Sequence, residues 1–308
     1  MGYILFFFCA LAAALLFVYL YRESTALSVT EFRIDTDRIC TNEYNIVMLS
    51  DLHETAHGGD NSRVLEMIDE INPDAVFFAG DMVTAGEGSV PGFSVTLSFI
   101  ERLRQKYPVY YGLGNHEEKL RQSPGKAGKA YGKYISSLLK LGVNILDNES
   151  MSIEEAGIIL YGLSLELKYY RKIRDLKLPE GYLENIFGKV NSDRFSVLLA
   201  HFPDRFEQYA EWGPDLVLSG HVHGGIVRLP FLGGVISPQL KLFPKYDCGM
   251  FHEGSSTMIL SRGIGTHTIP LRVNNKAEIV HIILKKSPFT GSDVKAGAEG
   301  GLHAGSDR

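Results

Sequence analysis

Short unbroken apolar runs alternate along this chain with stretches whose apolar residues recur every three or four positions. The run Asn45-Ile46-Val47-Met48-Leu49 reads as a buried strand that stops at Ser50-Asp51. Residues 62–72 read as a helix, with Val64, Ile68 and Ile71 at helical spacing and Pro73 just beyond. The alternation then repeats. Residues 75–79 form a second strand ending at Gly80-Asp81, and Leu97, Ile100, Leu103 and Tyr107 mark a second helix. Val109-Tyr110-Tyr111 is a third strand, running out at Gly114-Asn115-His116, and Ile135, Leu138 and Leu139 fit a third helix. Further strands are expected at 158–161, 196–200, 216–218, 257–260 and 278–284. Continuous apolar strands alternating with helices predict an α/β layering, with strands buried on both faces and joined by crossovers.

The two ends depart from that rhythm. Residues 3–21 carry no charged side chain. As a helix these 19 residues would reach about 28 Å, close to the hydrocarbon thickness of a bilayer. A basic segment before the run and a small-x-small site after it would mark a cleaved signal peptide, and neither is clear. Residues 1–21 are therefore expected to be an uncleaved transmembrane anchor. Residues 22–43 read as a linker or a first edge strand, and 44–286 as the folded domain. Residues 287–308, rich in Gly, Ser and Ala, read as a disordered tail.

At 308 residues, 45% hydrophobic and 22% charged, the chain has an ordinary globular composition. A formal net charge of −5 argues against a nucleic-acid binder that works by bulk charge. Cys9, Cys40 and Cys248 show no zinc-type spacing, and a Cys40–Cys248 bridge is neither indicated nor excluded.

Chemistry is suggested by where Asp, Asn and His fall. Asp51-Leu52-His53 follows the first strand, Gly80-Asp81 the second and Gly114-Asn115-His116-Glu117 the third. His201 closes the strand at 196–200, and Gly220-His221-Val222-His223-Gly224-Gly225 follows the one at 216–218. In layered α/β folds, ligand sites form in the crevice outside the carboxyl ends of strands. Five strand ends would thus bring two carboxylates, one amide and five imidazoles to one edge of the molecule. Imidazole with carboxylate suits Zn, Fe or Mn, and the lack of thiolates argues against a structural zinc site. In His221-Val222-His223, alternate residues of an extended segment point the same way. The seven donors Asp51, His53, Asp81, Asn115, His201, His221 and His223 exceed what one tetrahedral ion needs, and suit two ions sharing a carboxylate.

The ordered blocks Asp-x-His, Gly-Asp, Gly-Asn-His-Glu, a lone His and Gly-His-x-His resemble the calcineurin-like metallophosphoesterase superfamily, from residue 44 to about 285. The segment from Ser219 to Gly225 and the later Arg262-Gly263-Ile264-Gly265 look like its bacterial branch of membrane-anchored or exported phosphodiesterases. Ile226, and Lys276-Ala277 before Glu278, depart from that branch's usual residues. The resemblance implies an α/β (α+β) four-layer αββα sandwich, two mixed sheets flanked by helices, behind the N-terminal transmembrane helix. It also implies two divalent ions, one on Asp51, His53 and His223, the other on Asn115, His201 and His221, with Asp81 bridging. A hydroxide held between the ions would attack phosphorus in line, and His116 would protonate the leaving alkoxide.

These features describe a phosphodiester or phosphomonoester hydrolase whose substrate is a phosphorylated small molecule or lipid-like. Two readings compete: a pyrophosphohydrolase of lipid A synthesis acting on UDP-2,3-diacylglucosamine, and a non-catalytic metal-binding scaffold. The complete set of ligands stands against the scaffold. The resembled branch is often exported, so the catalytic domain is expected outside the cytoplasm. The flanking charges leave orientation open, because Arg22, Arg33 and Arg38 are interleaved with Glu23, Glu31, Asp35 and Asp37. His57 and His267 are weaker candidates for lining a substrate cleft. The basic stretches 119–133 and 168–177 suit holding a phosphorylated or lipid-like substrate or contacting anionic lipid, but are read first as solvated faces.

Overall fold

The computed structural model describes residues 2–86, 92–171, 176–237, 241–266 and 271–287. In chain order its first elements are α1 (Gly2–Thr25), β1 (Leu27–Thr36), β2 (Glu43–Leu49), α2 (Ser62–Ile71), β3 (Ala75–Ala79), α3 (Ser94–Arg104) and β4 (Val109–Gly112). Next come α4 (Asn115–Gln122), α5 (Lys126–Lys140), β5 (Asn144–Leu146), β6 (Glu149–Ile153), β7 (Ile158–Leu163), α6 (Tyr182–Phe187) and β8 (Phe195–Ala200). The chain continues with α7 (Phe206–Trp212), β9 (Leu216–Ser219), β10 (Arg228–Leu229), β11 (Gly233–Gly234), β12 (Gly249–Glu253), β13 (Ser256–Leu260) and β14 (Ala277–Lys286).

Two six-stranded mixed sheets result, ordered β1-β14-β2-β3-β4-β5 and β12-β13-β9-β8-β7-β6. β2, β3, β4 and β5 run parallel in the first, as do β13, β9, β8 and β7 in the second. Alternation of side chains sorts the layers. From β2, Val47 and Leu49 face α2, α3 and α5 through Val64, Ile68, Ile100, Leu103 and Leu138. From the same strand, Ile46 and Met48 face the other sheet through Leu160, Val197, Leu199 and Leu218. On that sheet's far face, Leu198, Val217 and Met258 pack with Leu183, Phe206 and Tyr209 of α6 and α7. The layers are helix, sheet, sheet, helix, the four-layer arrangement expected.

β1 is an edge strand in parallel register with β14, from Leu27 against Ala277 to Thr36 against Lys286. The helix before it, α1, buries none of its side chains and is long and apolar enough to cross a membrane. α6 and α7, at six and seven residues, are too short to show a helical period in sequence. Cys9, Cys40 and Cys248 are free thiols. His267, and the expected tail beyond Ser287, lie outside the described residues.

Candidate metal centre

Each candidate donor stands at the C-terminal end of a strand or in the turn after it. Asp51 and His53 follow β2, Asp81 follows β3, His201 follows β8, and His221 and His223 follow β9, while Asn115 and His116 open α4 after β4. These turns demand unusual backbone. φ is +54° at Asp51, +50° at His53, +55° at Asp81, +75° at His221 and +53° at His223. Asp and His visit that left-handed region more readily than most residues, yet each instance costs of order 1–3 kcal/mol. Two glycines let the turns close on one another: a Cβ at Gly114 would strike the Asp81 carboxylate, and one at Gly220 the Asp51 carboxylate.

The donor atoms converge. Asp51 Oδ1 lies 3.2 Å from His223 Nε2 and 3.8 Å from His53 Nε2, and those two nitrogens are 3.2 Å apart. Donors at about 2.0–2.2 Å from a common tetrahedral ion stand roughly 3.3–3.6 Å apart, so this trio fits one ion. Across the site Asp81 Oδ2 lies 3.0 Å from His201 Nε2, and with His221 these form a second group whose ligand atoms are all within 4.8 Å of one another. Asp81 also groups with His53 and His116, so it belongs to both sides of the site.

Charge explains why a cation suits this place. His201 Nδ1–H donates to the Ala79 carbonyl at 2.6 Å, which turns its Nε2 towards the Asp81 carboxylate. Burial opposes a proton on His201, but Asp81 and Asp51 outweigh it and hold its pKa up at about 10. Burial and the neighbouring His201 push His221 down to about 3. Burial would raise both carboxyls, yet the surrounding imidazoles hold Asp51 and Asp81 well below the usual carboxylate range. Positive charge is thus favoured between the two aspartates, and a divalent ion supplies more of it than one proton. Asn115 Oδ1 is a buried acceptor with no hydrogen bond, which is costly unless a cation serves it. The donor set fits divalent metal.

His116 sits beside the cluster with a fixed tautomer. Its Nδ1 accepts the Ala85 N–H at 2.8 Å, so its proton is on Nε2, 3.9 Å from Asp81 Oδ2. Burial keeps its pKa below the ordinary value.

The family model described as calcineurin-like phosphoesterase matches residues 44–225, the span that carries every one of these donors. This chain belongs to the calcineurin-like phosphoesterase family. An uncharacterized metallophosphoesterase of Bacillus subtilis, YkuE, is 28% identical over 271 residues, 87% of this chain and 88% of its own. A Danio rerio protein named as a transmembrane protein with metallophosphoesterase domain is 27% identical over 261 residues, 80% of this chain but only 54% of its own. Among solved structures, the phosphopantetheinyl hydrolase of Mycobacterium tuberculosis matches with a TM-score of 0.43 at 13% identity, over 75% of this chain and 95% of that one. The chain is a metal-dependent phosphoester hydrolase.

Three residues to which the sequence assigned no role brace the centre of this phosphoesterase. Glu117 is fully buried, and its carboxylate accepts the Asp81, Met82 and Gly114 N–H groups and the Tyr111 hydroxyl. Asn275 Nδ2 donates to the carbonyls of His223 and Gly225. Arg272, also buried, donates to the carbonyls of Arg262, Gly263 and Gly265, and Gly263 abuts Asp51. His57 is a buried strut, its Nε2 donating to the Ile264 carbonyl at 2.6 Å. Lys168 pairs with Glu166, and Arg121 with the buried Glu118 and with Asp147; residues 172–175 lie outside the described residues.

Proposed function

We propose that this phosphoesterase holds two divalent ions, one on Asp51, His53 and His223 and one on Asn115, His201 and His221, with Asp81 shared. It uses them to hydrolyse a phosphomonoester or phosphodiester. The observation that carries the reading is the convergence of carboxylate and imidazole donor atoms at separations of 3.0 to 3.8 Å. When bound, such ions (Mn, Fe or Zn by the donor chemistry) supply a hydroxide nucleophile at neutral pH and offset charge on the attacking and leaving oxygens.

The chain's own groups do the positioning. Asp81 Oδ1 accepts the His116 N–H at 2.7 Å, which turns Oδ2 to the imidazoles. The Asp51 carboxylate accepts the His221 N–H at 3.0 Å, tying the His221–His223 turn to β2. His116 donates from Nε2 to the leaving oxygen. Giving up that proton in full takes an imidazolium, and so takes release of the Ala85 bond. α1 is proposed to span a bilayer with the catalytic domain on its extracytoplasmic side, which suits a phosphorylated small-molecule or lipid-like substrate.

Elemental analysis of the full chain made with Mn²⁺ or Zn²⁺ should approach two equivalents, with turnover of bis-aryl or mono-aryl phosphates. A stoichiometry of one, unchanged by excess metal, would overturn the shared role of Asp81. Carbonate extraction tests the anchor, and protease added to intact cells tests the side of the membrane.

A further inference from the structure

α1 ends against one particular segment of the domain. The Tyr19 hydroxyl donates to Asn274 Oδ1 at 2.7 Å, the Asn275 N–H to Glu23 Oε2 at 3.2 Å, and the Arg272 N–H to Ser24 Oγ at 3.2 Å. The segment so held runs beside residues 226–228. Val227 bridges Val273, the Arg228 N–H donates to the Val273 carbonyl, and Asn274 Nδ2 donates to the Arg228 carbonyl. From Arg228 the chain passes directly into the β10–β11 ribbon.

That ribbon is apolar and uncovered. Phe231 at its tip is fully exposed, and Leu229, Leu232, Leu242 and Phe243 are 42% to 64% exposed. Leu242 and Phe243 belong with it: Leu242 bridges Ile236, and the Phe243 N–H donates to the Val235 carbonyl. The other strongly exposed apolar residues of the described domain, Val29, Leu139, Met151 and Leu176, stand singly in the sequence. Scattered residues of that kind need no explanation, whereas a contiguous apolar patch marks a protein or membrane contact.

Position selects the membrane. This end of α1 carries Tyr19, Tyr21 and Arg22, residue types that settle where lipid meets water. Asn274 links Tyr19 to Arg228, and Phe231 is three residues further along, a reach of about 10 Å.

We infer that Phe231, Leu232, Leu242 and Phe243 enter the lipid leaflet from which the C-terminal end of α1 emerges, so that the domain is held on the bilayer at two points. The inference rests on the reading of α1 as a membrane span. The turn bearing His221 and His223 leads straight into this ribbon, and Gly225 abuts Gly234. The substrate class this arrangement favours is a phosphoester carried on a lipid headgroup.

The test uses the full chain reconstituted into phosphatidylcholine–phosphatidylglycerol vesicles. Phe231→Trp is compared with Leu139→Trp on α5, after subtracting the wild-type signal, which comes from Trp212 alone. The tip residue is expected to lie at the boundary of headgroups and acyl chains, where brominated acyl chains quench it roughly twofold or more. Aqueous iodide should spare it, and Leu139→Trp should behave in the opposite way. Protein that floats with the vesicles while Phe231→Trp is quenched by iodide and not by bromine overturns the insertion and leaves the anchor standing. Protein that does not float with vesicles removes the anchor reading and this inference with it.

Discussion

Glu117→Gln is the most informative single change, because its effect can be worked from the bonds it alters. The Glu117 carboxylate accepts five bonds: Met82 N–H at 2.9 Å, Tyr111 O–H at 2.7 Å and a longer one from Val83 N–H at 3.4 Å on Oε1, Asp81 N–H at 3.0 Å and Gly114 N–H at 2.9 Å on Oε2. An amide keeps one acceptor oxygen. Its better orientation leaves that oxygen to Asp81 and Gly114, because the Tyr111 hydroxyl also has Tyr134 at 3.0 Å and can turn to accept from the new NH₂. The Met82 N–H, with the more distant Val83 N–H, then faces another donor in a buried site, costing about 1–3 kcal/mol. The two retained bonds become neutral ones, losing about 1 kcal/mol each. Relief of burying a charge offsets part of this, since burial and the Asp81 charge push the pKa of Glu117 up to about 7. The net expectation is a loss of about 2–4 kcal/mol, measured on metal-free protein at pH 8, where the carboxyl is mostly ionised. For a domain of this size each 1 kcal/mol moves the unfolding midpoint by about 2–4 °C, so a fall near 10 °C is expected. Tyr111→Phe, which deletes the bonds to Glu117 and Tyr134, should cost about 1–2 kcal/mol. Glu117→Gln within about 0.5 kcal/mol of wild type would refute the view that this carboxylate ties the β3 and β4 turns together.

Asp81→Ala should lose more metal than Asn115→Ala, because Asp81 belongs to both halves of the centre; equal losses, measured by elemental analysis, would mean the halves are independent. His116→Ala should keep its metal and its melting temperature while turnover falls about 10²–10⁴-fold, most steeply for poor leaving groups. Full activity on a high-pKa alcohol leaving group would remove His116 from the reaction. Burial lowers the pKa of His57, so below about pH 6.5 the unfolded chain takes up a proton that the native state refuses, and stability falls with acid. His57→Gln should flatten that acid slope by at most about 1.4 kcal/mol per pH unit, read from denaturation midpoints between pH 5 and 7; an unchanged slope would show that His57 is not held neutral.

The features legible in the sequence share a physical cause. β2, β3, β4, β8 and β9 are buried on both faces, so they appear as unbroken apolar runs, and an Asp or His directly after such a run is conspicuous. Their common placement at one edge follows from parallel strands, which forces the C-terminal ends together. The bracing residues left no such trace. Glu117 at the third position of α4 looks like any acid favoured at a helix N-terminus. Asn275 and Arg272 lie in a segment without periodicity. Asn275 acts on His223, 52 positions away, a relation that no local spacing records. The exposed ribbon tip was equally silent, since Leu229-Pro230-Phe231-Leu232 reads as a short apolar run whether covered or bare.

The braces matter because the centre is unfavourable taken by itself. Five donor residues have left-handed backbone, and two buried carboxylates stand beside imidazoles that burial would keep neutral. Such an arrangement persists only where the surroundings over-determine it. Glu117 fixes the β3 and β4 turns, Asn275 the turn after β9, and Arg272 the loop that presses Gly263 against Asp51. Each acts through backbone groups rather than through the donors, so each sets where a donor stands without competing for its lone pair. Arg272 and Asn275 are also the residues that Ser24 and Glu23 of α1 hold. One short segment therefore joins the apolar helix to the chemistry. α1 is joined to His223 by two hydrogen bonds, from the Asn275 N–H to Glu23 and from Asn275 Nδ2 to the His223 carbonyl, whereas the turns after β3 and β4 are braced by Glu117.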